Sequence, residues 1–355
     1  APVGGIVGSV VGGSVLNCCN YGYIKGGSFV GAIAGSASKG AVVEYSYYVY
    51  YSAEKAIGTK ASGCSESVYR FASSSDEVLT EKVLTVGKER TDDLIALLNS
   101  WIEQQHAADN EYRGWLYDTS ASATKRTDGR YPSHRYPNYV EPVPSIYTAT
   151  ATMTALCESG VDGIQGSFYS ISSTDELVYF RDYVNAGFAT EGMTFFLTCD
   201  LNMGLISGET QTLSWVPVGN SDKMPFRGVF DAQGYVLTDL FSVEKSSYQG
   251  FFGFVDGATA QVKNLGIVGI LTCRDKTGGI VGCLVNGSVV NCWYDGQING
   301  DDRLGGIVGV AEGGTVSNCV NFAPVTGDKN VGGIVGSCNS SVNVKYCYYS
   351  DDSTA

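Results

Sequence analysis

Three segments of one form, Gly278-Gly279-Ile280-Val281-Gly282, Gly305-Gly306-Ile307-Val308-Gly309 and Gly332-Gly333-Ile334-Val335-Gly336, follow one another at a strict interval of 27 residues. A fixed period of this size means a stacked architecture, because a single repeat cannot bury its apolar face alone. Fourteen residues after the first Gly of the first two segments stands a Cys preceded by Asn, in Asn291-Cys292 and Asn318-Cys319, while the third segment reaches Cys347 after fifteen. The same frame stands near residue 1. There Gly4-Gly5-Ile6-Val7-Gly8 leads to Asn17-Cys18 after fourteen residues, and Gly31-Ala32-Ile33-Ala34-Gly35 leads to Ser46 after fifteen. The last repeat of each set therefore carries the same one-residue insertion. The two also end in similar text, Tyr45-Ser46-Tyr47-Tyr48 and Tyr346-Cys347-Tyr348-Tyr349.

Within one period, short β-segments are expected around Ile307-Val308, Thr315-Val316-Ser317-Asn318-Cys319 and Ala323-Pro324-Val325, with glycines permitting positive φ at the corners. Segments this short leave no room for an amphipathic helix. The fold class that follows is mainly β: a β-solenoid, parallel β-helix-like, with 27-residue coils and a few capping or inserted helices. A content of 46 Gly, 23 Tyr and only 4 Met agrees with it. Equivalent side chains then stack in ladders. Cys18, Cys292, Cys319 and Cys347 share one interior slot, in which Ser46 has a similar volume. Neighbouring coils lie about 4.8 Å apart, so a disulfide between them is the second reading of that slot. Asn17, Asn291 and Asn318 form a structural ladder at a corner.

Ser173-Thr174-Asp175-Glu176 has the form of a capping box and is followed by Leu177, Phe180 and Val184 at helical spacing, which predicts a helical lead-in over 173–186 that caps the stack. Alternating segments around 194–198, 228–230, 235–237 and 250–254 read as irregular first coils, with regular ones from about residue 275. A second helix is expected over about 91–109, where Leu94, Leu97, Leu98 and Trp101 share a face. Residues 118–144, rich in Ser, Thr, Pro and Tyr, read as connection.

The GGIVG frame with its trailing Asn-Cys, together with Trp215-Val216-Pro217-Val218-Gly219 and Phe226-Arg227-Gly228-Val229-Phe230-Asp231-Ala232-Gln233-Gly234-Tyr235, resembles the GLUG-repeat surface proteins of bacteria. Gly250-Phe251-Phe252-Gly253 and Val262-Lys263-Asn264-Leu265-Gly266 are similar to that family's next coils. Ala232 stands where the family usually has a second Gly, and Gly31-Ala32 weakens the frame. The resemblance implies four regions. Residues 1–52 are the last two coils of one solenoid module, 53–145 its mixed helix and loop tail, 146–163 a linker, and 164–355 a second module. It further implies an exported, adhesin-like protein at the bacterial cell surface, secreted and built from further modules of the same polypeptide. Its function would be non-enzymatic, structural and adhesive, toward an extracellular protein or glycan ligand.

A formal net charge of -13 opposes binding to nucleic acid. No run of residues has the length of a membrane span, and the first residues lack the pattern of a signal peptide. Some relatives in that family are metallopeptidases, but the zinc signature HExxH is absent, and His106 and His134 are read as surface or structural. No other cofactor is implied. Asp301 and Asp328 share a coil position, with Asp302 adjacent, and are candidates for a Ca²⁺ or sugar-hydroxyl site. They also carry the alternative function, a carbohydrate-binding or polysaccharide-cleaving β-helix, which needs acids gathered on one face. The bland reading of these acids is solvated turn residues. Tyr45, Tyr47, Tyr48, Tyr50 and Tyr51, with Tyr346, Tyr348 and Tyr349, are either stacking surfaces for a ligand or, by strand alternation, half core.

Overall fold

The computed structural model describes residues 2–71, 147–159, 163–205 and 214–349, apart from positions 21, 50, 51, 165 and 244, together with the short strands at 83–84, 116–117 and 132–133. The helix expected over 91–109 and both histidines lie outside the described residues. The described coils form a β-solenoid of about nine turns, and every strand pairing along the stack is parallel. No described helix is long and apolar enough to cross a membrane.

Three sheets run along the stack. One holds the frame strands Val281–Leu284, Val308–Ala311 and Val335–Cys338, each in register with its 27-residue equivalent. A second holds the lead-in strands Asp275–Gly278, Asp302–Gly305 and Lys329–Gly332. The third carries Ser288–Val290, Gly314–Ser317 and Val342–Lys345, followed by strands such as Trp293–Asn299 and Val320–Asn321. Between the sheets lies one continuous apolar interior, in which Ile6, Ile33, Ile280, Ile307 and Ile334 are fully buried. Each such side chain contributes about 1.5–3 kcal/mol.

The order of the coils in space differs from their order along the chain. Within this chain, residues 1–52 do not form a separate stack. Val3↔Val331, Val7↔Val335, Val15↔Val344 and Cys19↔Tyr348 are in-register partners, so the coil of residues 3–20 sits directly on the coil of residues 329–349. The coils at 30–49 and 57–71 continue beyond it.

The glycines of the frame also play a different role from the one expected. None of Gly278, Gly279, Gly282, Gly305, Gly306 or Gly309 has positive φ; that conformation falls on other residues. These glycines are required by close approach. A Cβ on Gly282, Gly309, Gly336 or Gly8 would meet the backbone of Tyr248, Lys276, Arg303 or Asn330 at 2.5–2.6 Å. Those four neighbours all have left-handed backbone, with φ of 51–63°. In these four frames the last Gly is thus the flat surface against which the preceding coil turns its corner. A Cβ on the second Gly would meet both a backbone carbonyl of the next coil and a side chain: Tyr294 at Gly279, Asn321 at Gly306, Tyr349 at Gly333 and Asn20 at Gly5.

At the starting end of the stack, the helix Thr174–Asn185 is set between the strands Phe168–Ile171 and Thr194–Leu197. Its N-cap is Ser173, whose hydroxyl accepts the Glu176 amide at 3.2 Å. The Glu176 carboxylate returns to the amide and hydroxyl of Ser172, one residue before the cap. Phe180 enters the interior and packs against Phe195, Phe226, Phe230 and Phe252, with ring centroids 4.8–6.3 Å away. An apolar plug of this kind covers a coil end that would otherwise expose its core.

Because the frame glycine faces backbone rather than a movable side chain, Gly309→Ala is expected to cost about 3 kcal/mol or more. Gly27→Ala, where a Cβ meets nothing within 4 Å, should stay within about 0.5 kcal/mol of wild type. Urea unfolding followed by circular dichroism reads both; equal effects would remove the close-approach account.

Candidate functional site

The residues singled out in the repeat are placed by the stack into three rows. The first is the cysteine slot. In-register pairing lines up Leu265, Cys292, Cys319, Cys347, Cys18, Ser46 and Val68, all buried. The cysteines of this row are free thiols. Each thiol leans on a backbone carbonyl of its own coil, as Cys292 does on Val290 at 3.3 Å and Cys319 on Ser317 at 3.2 Å. Ser46 fills the slot with the same geometry, donating to the Glu44 carbonyl at 3.0 Å and accepting the Cys18 amide at 3.1 Å. Burial pushes the Cys292 and Cys347 thiols well above their ordinary range, which keeps them neutral and unreactive. Cys283 and Cys338, in the frame sheet, are pushed up to about 12 by burial.

The second row is the corner ahead of the cysteines. Asn17, Asn291 and Asn318 all have left-handed backbone, with φ of 52, 56 and 54°, and so do Gln233, Asn264, Tyr346 and Tyr45. Asn tolerates this region better than most residues, which explains its recurrence here. Side-chain bonding runs along part of the row: Asn291 Nδ2 donates to Asn264 Oδ1 at 2.8 Å, and Asn264 Nδ2 donates to Asp231 Oδ1 at 2.9 Å. Asp231 is buried and also accepts the Gln233 amide and the Tyr147 hydroxyl, each at 2.9 Å, with Lys263 Nζ at 3.4 Å. Its two oxygens are therefore fully engaged in holding coils together. Asp200 accepts the Val236 amide at 2.8 Å and likewise ties one coil to the next.

The third row holds the acids. Asp301 and Asp328 are exposed on consecutive coils, and the Asp301 carbonyl accepts the amides of both Asp328 and Lys329, at 2.8 and 3.0 Å. Asp302 is half-buried and engaged by Arg303, at 2.9 Å, and by Asn330 Nδ2, at 2.7 Å. Its in-register neighbours are Asp275 and Lys329. The stack thus brings the three acids to one corner, with Asp302 already neutralised. Among the described residues, no group of three or more His, Cys, Asp and Glu side chains gathers at a spacing that could hold a metal.

The tyrosine clusters divide. Tyr47, Tyr48, Tyr346 and Tyr349 are buried, Tyr45 and Tyr348 half-buried, and Tyr50 and Tyr51 lie outside the described residues. Sequence reasoning missed the row to which Tyr48 and Tyr349 belong: Tyr294, Asn321, Tyr349, Asn20 and Tyr48 alternate along it as partners of one another. Each stands two residues after the cysteine slot, a spacing present in the sequence. The asparagines close their own turns, Asn321 through Ala323 and Asn20 through Gly22, while the Tyr294 hydroxyl donates to the Gly269 carbonyl at 2.9 Å. Sequence reasoning also passed over the connection of residues 22–29. It leaves Tyr23 60% and Phe29 51% exposed, with Phe29 at a corner of φ 54°.

No family model matches the chain, and no curated protein matches it. Among solved structures, it is similar to a candidate immunoglobulin A1 protease from Bacteroides ovatus. The sequences are 20% identical, and the match covers 53% of this chain and 69% of that one with a TM-score of 0.38.

A thiol that titrates near 9 when unfolded and near about 12 when folded stabilises the fold fully below pH 9; that contribution is lost as pH rises toward 12. The urea midpoint should therefore fall above about pH 9, and fall less steeply in Cys338→Val, because a group that no longer titrates removes its share of the slope. An identical slope would exclude the buried thiol as its source. For the Asn row, Asn291→Ala is expected to cost about 2 kcal/mol, from a lost hydrogen bond and a left-handed alanine. Asn291→Gly, which frees the backbone, should cost about half of that. If the glycine variant is the less stable of the two by urea unfolding, the corner account fails.

Proposed function

We propose that the chain is a non-enzymatic structural and adhesive module of an exported bacterial cell-surface protein of the GLUG-repeat type, built to hold binding side chains away from the cell. The observation that carries this reading is the contrast between inward and outward positions. The recurring Gly, Ile, Cys and Asn of the repeat are taken up by packing and corners, whereas the connection at 22–29 presents Tyr23 and Phe29 to solvent. Exposed aromatic side chains on a rigid support are what protein and glycan interfaces use as anchors, since they bury much area with few rotors. The ligand is then an extracellular protein or glycan, and further modules of the same polypeptide extend the rod.

The second reading is a carbohydrate-binding or polysaccharide-cleaving β-helix. It is favoured by Asp301 and Asp328, exposed on adjoining coils beside the half-buried Asp302. A Ca²⁺ ion or sugar hydroxyls would be taken there by carboxylate oxygens.

Binding to a glycan array and to immobilised extracellular-matrix proteins, run beside a polysaccharide turnover assay, separates the two. The adhesive reading expects binding without turnover. It also expects roughly thirtyfold weaker binding in Tyr23→Ala/Phe29→Asn, the loss of about 2 kcal/mol typical of an aromatic anchor. The asparagine keeps the corner conformation, so the melting temperature should hold. Polysaccharide cleavage that disappears in Asp301→Ala/Asp328→Ala would sink it.

A further inference from the structure

One junction in the stack is unlike the others in covalent terms and identical to them in physical terms. Regular neighbours such as the coils at 302–321 and 329–349 are joined by the chain itself, one period apart. The coil at 329–349 and the coil at 3–20 are not: their in-register residues Ser14 and Asn343 are 329 positions apart in sequence. Yet the contact has the same make-up. Gly333 and Ile334 donate to the carbonyls of Gly5 and Ile6, each at 3.1 Å, as Gly306 and Ile307 donate to those of Gly332 and Ile334 at 3.3 and 3.0 Å. Val11 donates to the Cys338 carbonyl at 2.9 Å, Tyr346 to that of Leu16 at 3.2 Å, and Cys19 to that of Cys347 at 3.2 Å. The pairing covers all three sheets. The glycine fit is preserved too, since a Cβ on Gly8 would meet Asn330 and the Gly336 carbonyl as closely as frame glycines meet their own neighbours.

Docking of one coil on the next thus requires no covalent step between them. An unoccupied 329–349 coil presents a row of unpaired N–H and C=O groups along three sheet edges and the faces of Ile334 and Cys347. The complement is a 3–20 coil in this register, which every copy of the chain carries. Within one chain, closure is favoured while the effective concentration set by the intervening residues exceeds that of other copies; above that point exchange becomes competitive.

We propose that this junction is an exchangeable head-to-tail interface, at which the coil at 3–20 of one copy docks on the coil at 329–349 of a second copy. The contact is heterologous, a different face on each partner, so exchange links copies either reciprocally, as a swapped pair, or successively, as an open chain of copies. Because the contact formed in exchange equals the contact broken, the intrachain and interchain states differ through concentration and not through any new bond.

The test uses full-length chains. Ser9 and Ser337 are in-register partners on the frame sheet and are half-buried. At the Cα separation of neighbouring strands, about 4.8 Å, cysteines placed there are within disulfide or short bis-maleimide reach. A tagged Ser9→Cys chain and an untagged Ser337→Cys chain are co-expressed and crosslinked at low and high protein concentration. The expected product is a covalent dimer holding one chain of each kind, increasing with concentration and missing from either variant alone. The double variant Ser9→Cys/Ser337→Cys should crosslink within the chain when dilute. Mixtures that stay monomeric at every concentration, while the double variant crosslinks, overturn the exchange. With the half-exposed Cys64 and Cys199 replaced by Ser in every chain, a double variant that does not crosslink at all overturns the junction itself, and a dimer formed by Ser9→Cys alone overturns the head-to-tail geometry.

Discussion

The stack rests on how closely one coil's backbone approaches the next. At the end of four of the five frames a glycine lies against the left-handed corner of the preceding coil, at separations that no Cβ allows. This contact fixes rise and register together, because only one sliding position puts glycine opposite the corner. Once it is set, every parallel pairing follows with a period of one coil. The isoleucine and valine of the frame are then brought one above another into the interior. Hydrophobic burial supplies the stability, being non-directional and proportional to area, but it would tolerate other registers. The glycine contact does not.

Within that register the rows need not be uniform, only compatible in volume and in hydrogen bonding. Cysteine and serine share one slot because they have similar volume and each bonds to a carbonyl of its own coil, as Ser46 does to Glu44, while Leu265 and Val68 fill it with apolar bulk at the two ends of the row. Tyrosine and asparagine alternate in another row for a complementary reason. Both cover the second glycine of the frame, one as a ring and one as a planar amide, Asn321 bonding to Ala323 in its own coil and Asn20 donating to the Ala32 carbonyl of the next. The Asn corner row ends on Asp231, whose buried carboxylate is saturated by two amides, a hydroxyl and a lysine. Polar groups so fully matched hold coils in place and leave little capacity for chemistry.

Much of this was legible in the sequence. The period located the frame strands of five coils but not Ile57–Lys60 of the same sheet, the matched spacing put Ser46 and Cys347 in one slot, and the capping box at Ser173 marked the helix to within a residue. Two things were not. The order of the coils was hidden because each edge presents the same backbone groups, so nothing in the repeat says which coil follows Tyr349; the spatial answer is Val3. The left-handed corner at Tyr248, Lys276, Arg303, Asn330 and Phe29 was hidden because its residue types vary, the requirement falling on backbone and on the facing glycine. At the candidate site, the period aligned Asp301 with Asp328. The engagement of Asp302 by Arg303 and Asn330 depends on side-chain direction at that corner, which spacing does not specify.

The two ends of the described stack differ, and this gives the rod a direction. The starting end is filled by Phe180 among four phenylalanines, an apolar plug, and among the described residues the edge of Phe168–Ile171 is covered only by the two-residue strand Ala151–Thr152. At the other end the frame sheet finishes on Ile57–Lys60, where Lys60 pairs with Glu66 on the neighbouring strand. Charge at an edge discourages indiscriminate pairing without filling the interior. Growth is thereby discouraged at both ends. The unlinked junction inside the stack, where one coil rests on another without chain continuity, is instead the point at which the rod can be opened without breaking the covalent path of any coil.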